Sequence, residues 1–201
     1  MLLNMKELLA AANENNFAVP AFNISSYAMF NGIMEASEEE HAPVIISIHP
    51  DELSHIGTDV IQAIRQRAYK TKIPVCIHLD HGASFEQIMV AIQAGYTSVM
   101  IDGSSLPFEE NIAVCQKVCE AAHGADVSVE GELGTIGTTD SSETENQVII
   151  YTKPDDAAKF VEETGVDTLA IAIGTCHGLY PAGMKPELKL DLLKEIKSKV
   201  S

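Results

Sequence analysis

The stretch Pro74-Val75-Cys76-Ile77-His78-Leu79-Asp80-His81-Gly82 indicates both the fold and the chemistry of this 201-residue chain. It begins as an apolar run rich in β-branched residues, which is typical of a buried strand. It ends in a carboxylate, an imidazole and a glycine, which is typical of a functional strand end rather than of a core. A second histidine, His177, follows a similar apolar run and also precedes a glycine. These two strand ends predict a single site if the fold brings them together.

Five further apolar runs alternate with amphipathic helical patterns along the chain. The six predicted strands cover residues 17–23, 43–48, 74–80, 97–102, 126–133 and 167–174. A loop that contains Pro50 and Gly57 is predicted between the second strand and a helix at 59–70. Strands that are apolar throughout and alternate with helices indicate an α/β fold with a parallel sheet. An open doubly wound sheet and a (β/α)8 barrel are the two candidate architectures.

Polar residues at the strand ends favour the barrel. Each of them lies at or just past the C-terminal end of a different predicted strand: Asn23, Asp80, Asp102, Glu132 and His177. A barrel gathers such ends around one mouth, where its active sites lie, whereas an open sheet spreads them along a line. No glycine-rich dinucleotide fingerprint follows the first strand. We therefore expect residues 1–201 to form one partial TIM-barrel domain of about six β/α units, with the C-terminal two units absent.

Composition argues against several classes of partner. The formal net charge is −16 and no cluster of Lys and Arg offsets it, so nucleic-acid binding is not expected. No apolar run reaches membrane-span length, and the first residues predict a helix rather than a signal peptide, so a cytoplasmic location is expected. The four cysteines form no CxxC pair and predict reduced thiols. An anionic substrate would require the site to supply its own positive potential.

The histidines and carboxylates at the strand ends are the candidates for chemistry. His81 and His177 are candidate zinc ligands, because catalytic zinc usually binds three protein ligands and imidazole is a good one; two polar loop histidines are the alternative. Asp80 is either an acid–base group beside a metal or a loop cap before Gly82. His78 lies one pleat below Asp80 on the same face, so we expect it inside the barrel with a hydrogen-bond partner.

Two further features suit a small-molecule site. An inward-facing carboxylate at Glu132 is costly unless it is paired, protonated or near a metal. The polar, glycine-containing segment at 134–146 is either a mobile lid over such a site or an ordinary surface loop.

Four motifs carry a resemblance that covers essentially the whole chain. They are His78-Leu-Asp-His-Gly82, Met100-Ile-Asp-Gly-Ser104, Val129-Glu-Gly-Glu-Leu-Gly134 and Ala172-Ile-Gly-Thr-Cys-His-Gly-Leu-Tyr180. In this order they resemble the class II zinc-dependent ketose-bisphosphate aldolases, which include fructose- and tagatose-bisphosphate aldolases. The resemblance implies a (β/α)8 barrel that reversibly cleaves a ketose 1,6-bisphosphate to dihydroxyacetone phosphate and glyceraldehyde 3-phosphate. It also implies a dimer or tetramer for the full-length protein.

The resemblance assigns roles to the strand-end residues. Asp80 matches the catalytic acid–base group that handles the hydroxyl proton at the cleaved bond. His81 and His177 match two of three zinc ligands. Asp102 and Glu132 match carboxylates that hold the metal in an alternative position in some members.

Residues that bind the substrate follow by the same resemblance. Asn23 matches an asparagine that contacts the substrate. Gly178 matches a backbone site near the bound phosphate and a monovalent cation, Na⁺ or K⁺. The family's carbon-proton base has no clear match, and Asp140 and Glu143 are only candidates for it.

Residues 1–201 depart from the family pattern in ways that predict a loss of activity. They contain neither the third zinc histidine, which the family carries in an apolar-His-Gly-Gly stretch, nor the later phosphate loop. We therefore expect this chain alone to bind zinc weakly and to be inactive. Two alternatives to the aldolase remain: a non-catalytic barrel that acts as an assembly or regulatory partner, and a zinc hydrolase on the same barrel.

Overall fold

The structure is a computed structural model, which describes residues 1–135, 150–178, 180, 183 and 185–200. The strands in this part of the chain are β1 (Ala21–Asn23), β2 (Val44–Ile48), β3 (Val75–Gly82), β4 (Ser98–Ile101), β5 (Ser128–Leu133) and β6 (Thr168–Ile171). The helices are α1 (Met5–Asn15), α2 (Tyr27–Glu39), α3 (Pro50–Ile56), α4 (Thr58–Lys70), α5 (Phe85–Ala94), α6 (Phe108–His123), α7 (Pro154–Thr164) and α8 (Leu190–Lys199).

The six strands form one parallel sheet in which the spatial order equals the chain order, from β1 to β6. Parallel crossovers are right-handed in nearly all proteins, so strands added in one direction place every crossover helix on the same face. A doubly wound sheet instead reverses its strand order to cover both faces. The sheet is therefore a curled part-barrel with its helices outside, and the open doubly wound alternative is wrong.

The two faces of β3 show how the sequence specifies this curl. Val75, Ile77 and Leu79 are fully buried in the large apolar cluster beneath the helices. The alternate residue His78 faces the interior and is 3% exposed. Its ring Nδ1 lies 2.9 Å from Ser98 Oγ and its Nε2 lies 3.1 Å from a Glu130 carboxylate oxygen. The prediction of an interior histidine with a hydrogen-bond partner is confirmed.

Helix α1 closes the N-terminal end of the part-barrel. The Asn4 side chain caps the helix by accepting a hydrogen bond from the backbone N–H of Glu7. Met5 and Leu8 are buried in a second, smaller apolar cluster with Ile45 and Cys76. Because this cluster fills the interior at the starts of the strands, the C-terminal ends of the strands are left as the open mouth.

Asp167, directly before β6, connects several elements at the same end. Its carboxylate accepts hydrogen bonds from Lys6 Nζ, His123 Nε2 and the backbone N–H of Val129, each at 2.9 Å. The side chain is only 3% exposed. Burial alone would raise the pKa of Asp167, but these hydrogen bonds outweigh burial and lower the pKa. We call these four residues the Asp167 cluster; it ties α1, α6 and β5 to the start of β6.

The segment predicted as a loop after β2 contains helix α3, so that prediction was wrong. His49 caps this helix: its Nδ1 accepts a hydrogen bond from the backbone N–H of Asp51. Pro50 at the first helical position removes an N–H that would have no partner, and the acidic side chains of Asp51 and Glu52 favour a helix N-terminus. The short length of α3 hides its helical period in the sequence.

The boundaries of other elements also differ from the sequence prediction. Strand β3 continues through Gly82, two residues further than predicted. The sequence predicts a closing helix over 187–199, whereas α8 begins at Leu190. Cys76 is buried as a free thiol, whereas Cys176 is half-buried and lies outside the strands. Within the described residues, no helix has the length and apolar character needed to cross a membrane.

Candidate active site

The Asp80-His81 pair reaches the mouth of the part-barrel through an irregularity in β3. In a regular strand, adjacent side chains point to opposite faces. Here the register between β3 and β4 shifts between Leu79 and Gly82, and His81 adopts a left-handed backbone conformation with φ of 53°. Both Asp80 and His81 therefore line the same cleft.

Gly82 is required for this irregularity. A Cβ atom at this position would lie 2.6 Å from the backbone oxygen of Met100 and 2.8 Å from Ile88 Cδ1. Any side chain here would force β3 away from β4. The Asp-His-Gly sequence is thus a structural unit. His81 adopts the left-handed conformation, and Gly82 then permits β3 to approach β4 closely.

A cleft of about 910 Å³ lies at the C-terminal ends of the strands. Seven of the nine site residues predicted from sequence are among the described residues, and six of these line the cleft: Asn23, Asp80, His81, Asp102, Glu132 and His177. Gly178 is described but is not among the lining residues, and it has a positive φ of 92°. Asp140 and Glu143 lie outside the described residues.

His81 lies at the centre of a group of ionisable side chains. Its Nδ1 is 3.0 Å from Asp102 Oδ2 and 4.0 Å from Glu132 Oε2, and its Nε2 is 4.0 Å from Asp80 Oδ1. The ring of His177 packs edge-on against that of His81, with 5.3 Å between the ring centroids. The fold therefore brings the two predicted zinc histidines next to each other, although 96 positions separate them (177 − 81).

The charges of this group shift one another's pKa values. The hydrogen bond to Asp102, assisted by the charges of Asp80 and Glu132, raises the pKa of His81 to about 9 against the effect of burial. Burial alone would raise the pKa of Asp102, but hydrogen bonds from His81 and Ser104 outweigh it and lower the pKa to about 2. Burial and the charge of Asp102 raise the pKa of Glu132 to about 7.

Asp80 is held on the opposite side, toward β1. Its Oδ2 accepts a hydrogen bond of 2.6 Å from Asn23 Nδ2, at the end of β1. The carboxylate is 24% exposed, so a ligand in the cleft can reach it. The fixed amide orients the carboxylate, and an oriented, accessible carboxylate suits proton transfer.

Sequence reasoning missed three residues that shape the cleft. Asn111, buried on α6, donates a hydrogen bond of 2.8 Å from Nδ2 to the backbone oxygen of Glu132 and so supports the end of β5. His49 and Glu52, from α3, line the cleft on the side of β2. The helix-start signal His49-Pro50-Asp51, placed directly after a strand, is the pattern that could have identified this segment.

The arrangement fits a divalent metal ion. One ligand atom from each of His81, Asp102 and Glu132 can be chosen so that all lie within 4.8 Å of one another. One imidazole and two carboxylates match the preferences of zinc, and the carboxylates would offset its charge. His177 lies next to this triad through its ring contact with His81. A parallel part-barrel with a metal-type triad beside an oriented aspartate defines a candidate metal-dependent lyase or hydrolase.

Comparison with known proteins distinguishes between the lyase and the hydrolase. Residues 3–201 match the family described as fructose-bisphosphate aldolase class-II. A fructose-bisphosphate aldolase of Staphylococcus epidermidis is 43% identical over 199 residues, covering 97% of this chain and 68% of the relative. A probable fructose-bisphosphate aldolase of Bacillus subtilis is 42% identical over 200 residues, covering 97% of this chain and 69% of the relative.

Solved structures support membership of the same family. The crystal structure of the YdjI aldolase from Escherichia coli K12 superimposes with a TM-score of 0.87 at 35% identity, covering 100% of this chain and 70% of that one. A putative fructose-1,6-bisphosphate aldolase from Coccidioides immitis gives a TM-score of 0.85 at 25% identity, covering 98% and 71%. The chain belongs to the class II fructose-bisphosphate aldolase family.

Proposed function

We propose that this cleft is the site of a reversible aldol cleavage that converts a phosphorylated ketose to dihydroxyacetone phosphate and an aldehyde. The observation that carries the proposal is the placement of Asp80 and His81 side by side in one cleft, with Asp102 and Glu132 around the imidazole. A proton-transfer group beside a metal-type triad is what this reaction requires. Membership of the aldolase family supports the same reaction.

Zinc is the proposed metal. His81 and His177 would hold it, and Asp102 and Glu132 are the proposed ligands of an alternative position. A bound Zn²⁺ would supply Lewis-acid polarisation of the substrate ketone and would stabilise the negative charge that develops there. Asp102 also orients the His81 ring through its hydrogen bond, and this role does not require a bound metal.

Asp80 is the proposed acid–base group. In the cleavage direction it accepts the proton of the hydroxyl group at the cleaved bond, and in the synthesis direction it returns that proton to the aldehyde oxygen. Asn23 holds the Asp80 carboxylate in place through its 2.6 Å hydrogen bond. The base that exchanges the carbon-bound proton is a separate group, for which Asp140 and Glu143 remain the candidates.

The resemblance implies fructose or tagatose 1,6-bisphosphate as substrate. The two sugars differ only in configuration at C4, whose hydroxyl group would lie against Asp80. The family's barrel has eight β/α units, and we propose that the six units here are part of such a barrel. A non-catalytic assembly partner is not favoured, because the acid–base and metal-type side chains all line the cleft.

A chimera tests the proposed reaction. Residues 1–200 would be joined to the part of the Staphylococcus epidermidis relative that the alignment leaves unmatched, and the purified protein would be loaded with Zn²⁺. We expect cleavage of a ketose phosphate and exchange of a carbon-bound proton of dihydroxyacetone phosphate with deuterated solvent. Chelation should abolish both activities, and the 201-residue chain alone should show neither.

Two variants of the chimera separate the steps. Asp80→Asn should abolish cleavage while proton exchange persists, because exchange involves no hydroxyl proton of the aldehyde half. Asp59→Asn, an exposed acid in the first turn of α4, is the matched control and should change neither activity. A folded, zinc-loaded chimera that lacks both cleavage and exchange would show that the proposal is wrong.

Other expectations from the sequence stay predictions. They are a monovalent cation near Gly178, a homo-oligomer and a cytoplasmic location. The mass of the purified chimera in solution tests the oligomer, and the dependence of its activity on Na⁺ and K⁺ tests the cation.

A further inference from the structure

Asn111, a buried residue on α6, packs against the strand ends that carry both carboxylates of the metal-type triad. It is 1% exposed, and its Nδ2 donates the 2.8 Å hydrogen bond to the backbone oxygen of Glu132. Its Oδ1 accepts a weak hydrogen bond from the Cys115 thiol at 3.6 Å. Burial raises the pKa of Cys115 to about 12, so the thiol keeps the proton that it donates. The Asn111 amide is therefore held at both of its polar atoms.

The same side chain packs against the end of β4. Gly103 follows Asp102 directly, and a Cβ atom on Gly103 would overlap Asn111 Oδ1 and lie 2.9 Å from Asn111 Cγ. The φ of Gly103 lies outside the left-handed region, so glycine is needed here for space rather than for its backbone conformation. Asn111 thus sets how closely α6 approaches the residue next to Asp102.

A second glycine makes room for α6 beside the other carboxylate. Gly131 directly precedes Glu132, and a Cβ atom on Gly131 would lie 3.2 Å from Cys115 Sγ. Because side chains alternate along a strand, Gly131 on the helix side leaves Glu132 to point into the cleft. Each carboxylate of the triad therefore adjoins a glycine that packs against α6.

The separation of the two carboxylates matters for a metal ion. Zinc binds nitrogen and oxygen ligands at about 2.0–2.2 Å, so the ligand atoms must converge on one point. Those of His81, Asp102 and Glu132 can be chosen within 4.8 Å of one another. Without a metal, however, the charges of two neighbouring carboxylates repel each other and favour separation of the strand ends that carry them. A contact outside the cleft that holds both strand ends opposes this separation.

We infer that Asn111 is a positioning residue for the metal, which sets the separation of Asp102 and Glu132 by holding the ends of β4 and β5 against α6. The inference rests on the proposed metal site, and it adds to that site a residue that touches neither metal nor substrate. The backbone N–H of Ser104 also orients Asp102, by a hydrogen bond of 3.0 Å to its Oδ1, but this contact acts on one carboxylate alone. Asn111 acts on both.

The zinc affinity of the 201-residue chain, measured by calorimetry, tests this inference without relying on turnover. Asn111→Ala should weaken zinc binding about 10-fold, since loss of a group that orients metal ligands typically costs 10- to 100-fold. Val118→Ala is the matched control, because Val118 is fully buried on the same helix, about two turns further from the triad. Both variants should lower the stability of the metal-free chain in urea, but Val118→Ala should leave the zinc affinity within about twofold of the wild type.

Gly103→Ala tests the contact with β4. In the wild-type background it should weaken zinc binding several-fold, because the new Cβ atom displaces Asn111. In the Asn111→Ala background the overlapping atoms are gone, so Gly103→Ala should then change the affinity less than about twofold. Such non-additivity is expected of residues in direct contact, and a general loss of stability would not produce it. Gly103→Ala and Val118→Ala alone complete the test if Asn111→Ala does not fold.

Three results would each overturn this inference alone. They are an affinity of Asn111→Ala or Gly103→Ala within about twofold of the wild type, additive effects of these two substitutions, and an equal loss of affinity in Val118→Ala. No zinc binding by the wild-type chain would instead overturn the proposed metal site, and this inference with it. Proton exchange by the chimera tests the reaction itself, so a failure of the proposed reaction is seen separately.

Discussion

The Asp167 cluster allows a prediction of stability that does not depend on catalysis. Replacing Asp167 with alanine removes the acceptor of three hydrogen bonds at once. The Val129 N–H group is then left without its acceptor in the interior, which costs about 1–3 kcal/mol. Lys6 and His123 are 67% and 43% exposed, so the loss of each pair costs only about 0.5 kcal/mol. We expect Asp167→Ala to lower the free energy of unfolding by roughly 2–4 kcal/mol.

Urea unfolding of the metal-free chain measures this loss by linear extrapolation. Asp167→Asn should cost less than Asp167→Ala, because the amide oxygen can still accept from Val129. Asp155→Ala is the control: Asp155 is 89% exposed and pairs with Lys199 on the surface, so its loss should cost under about 1 kcal/mol. If Asp167→Ala and Asp155→Ala destabilise the protein equally, the argument from burial is refuted.

The same cluster predicts a dependence on pH. The pKa of Asp167 is lowered from its ordinary value of 3.8, so the ionised carboxylate stabilises the folded state. This contribution is complete above pH 3.8 and is lost as the pH falls toward the lowered pKa. The difference in unfolding free energy between wild type and Asp167→Asn should therefore be constant near neutral pH and shrink below pH 3.8. A difference that grows on acidification would contradict the assigned direction.

Three further predictions concern the metal, the sheet and the thiols. Asp102→Asn should weaken zinc binding by about 10- to 100-fold in calorimetry, because it removes a charge and the group that orients His81; His55→Ala, outside the cleft, should not. Gly131→Ala should cost about 1–3 kcal/mol in urea unfolding, because its Cβ would lie 3.0 Å from a buried phenylalanine ring. Gly32→Ala, in a helix with open space around the Cβ, should instead stabilise the protein by about 0.5–1 kcal/mol. Only Cys176 should react rapidly with a thiol reagent in the native chain, since burial raises the pKa of each of the other three thiols to about 12.

Much of the fold was predictable because its determinants are local. Near-continuous apolar runs such as residues 74–79 specify buried parallel strands. Polar residues at the ends of five strands then indicate a common mouth. The same logic predicted the cleft, because Asn23, Asp80 and His81 needed only the strand order to be brought together.

The remaining features of the fold and the site depend on contacts between distant segments, which patterns in the sequence do not indicate. Helix α3 has seven residues, too few to show a period, so His49 and Glu52 were missed. The support of Glu132 by Asn111 depends on how α6 packs on β5, which no spacing in the sequence encodes. Asp167 likewise gains its three partners only when distant segments meet. These contacts are tertiary, whereas patterns in a single sequence indicate only local structure.

The turn of β3 at His81 implies a conflict between stability and activity. A left-handed conformation at a residue other than glycine costs roughly 1 kcal/mol or more. Deleting His81 would let β3 pair with β4 without a shift, and the strand would then gain regular hydrogen bonds. Variants selected only for thermal stability should thus tend to straighten this strand and lose the imidazole from the cleft. Selection for heat resistance in this chain would need an independent readout of metal binding to keep the site intact.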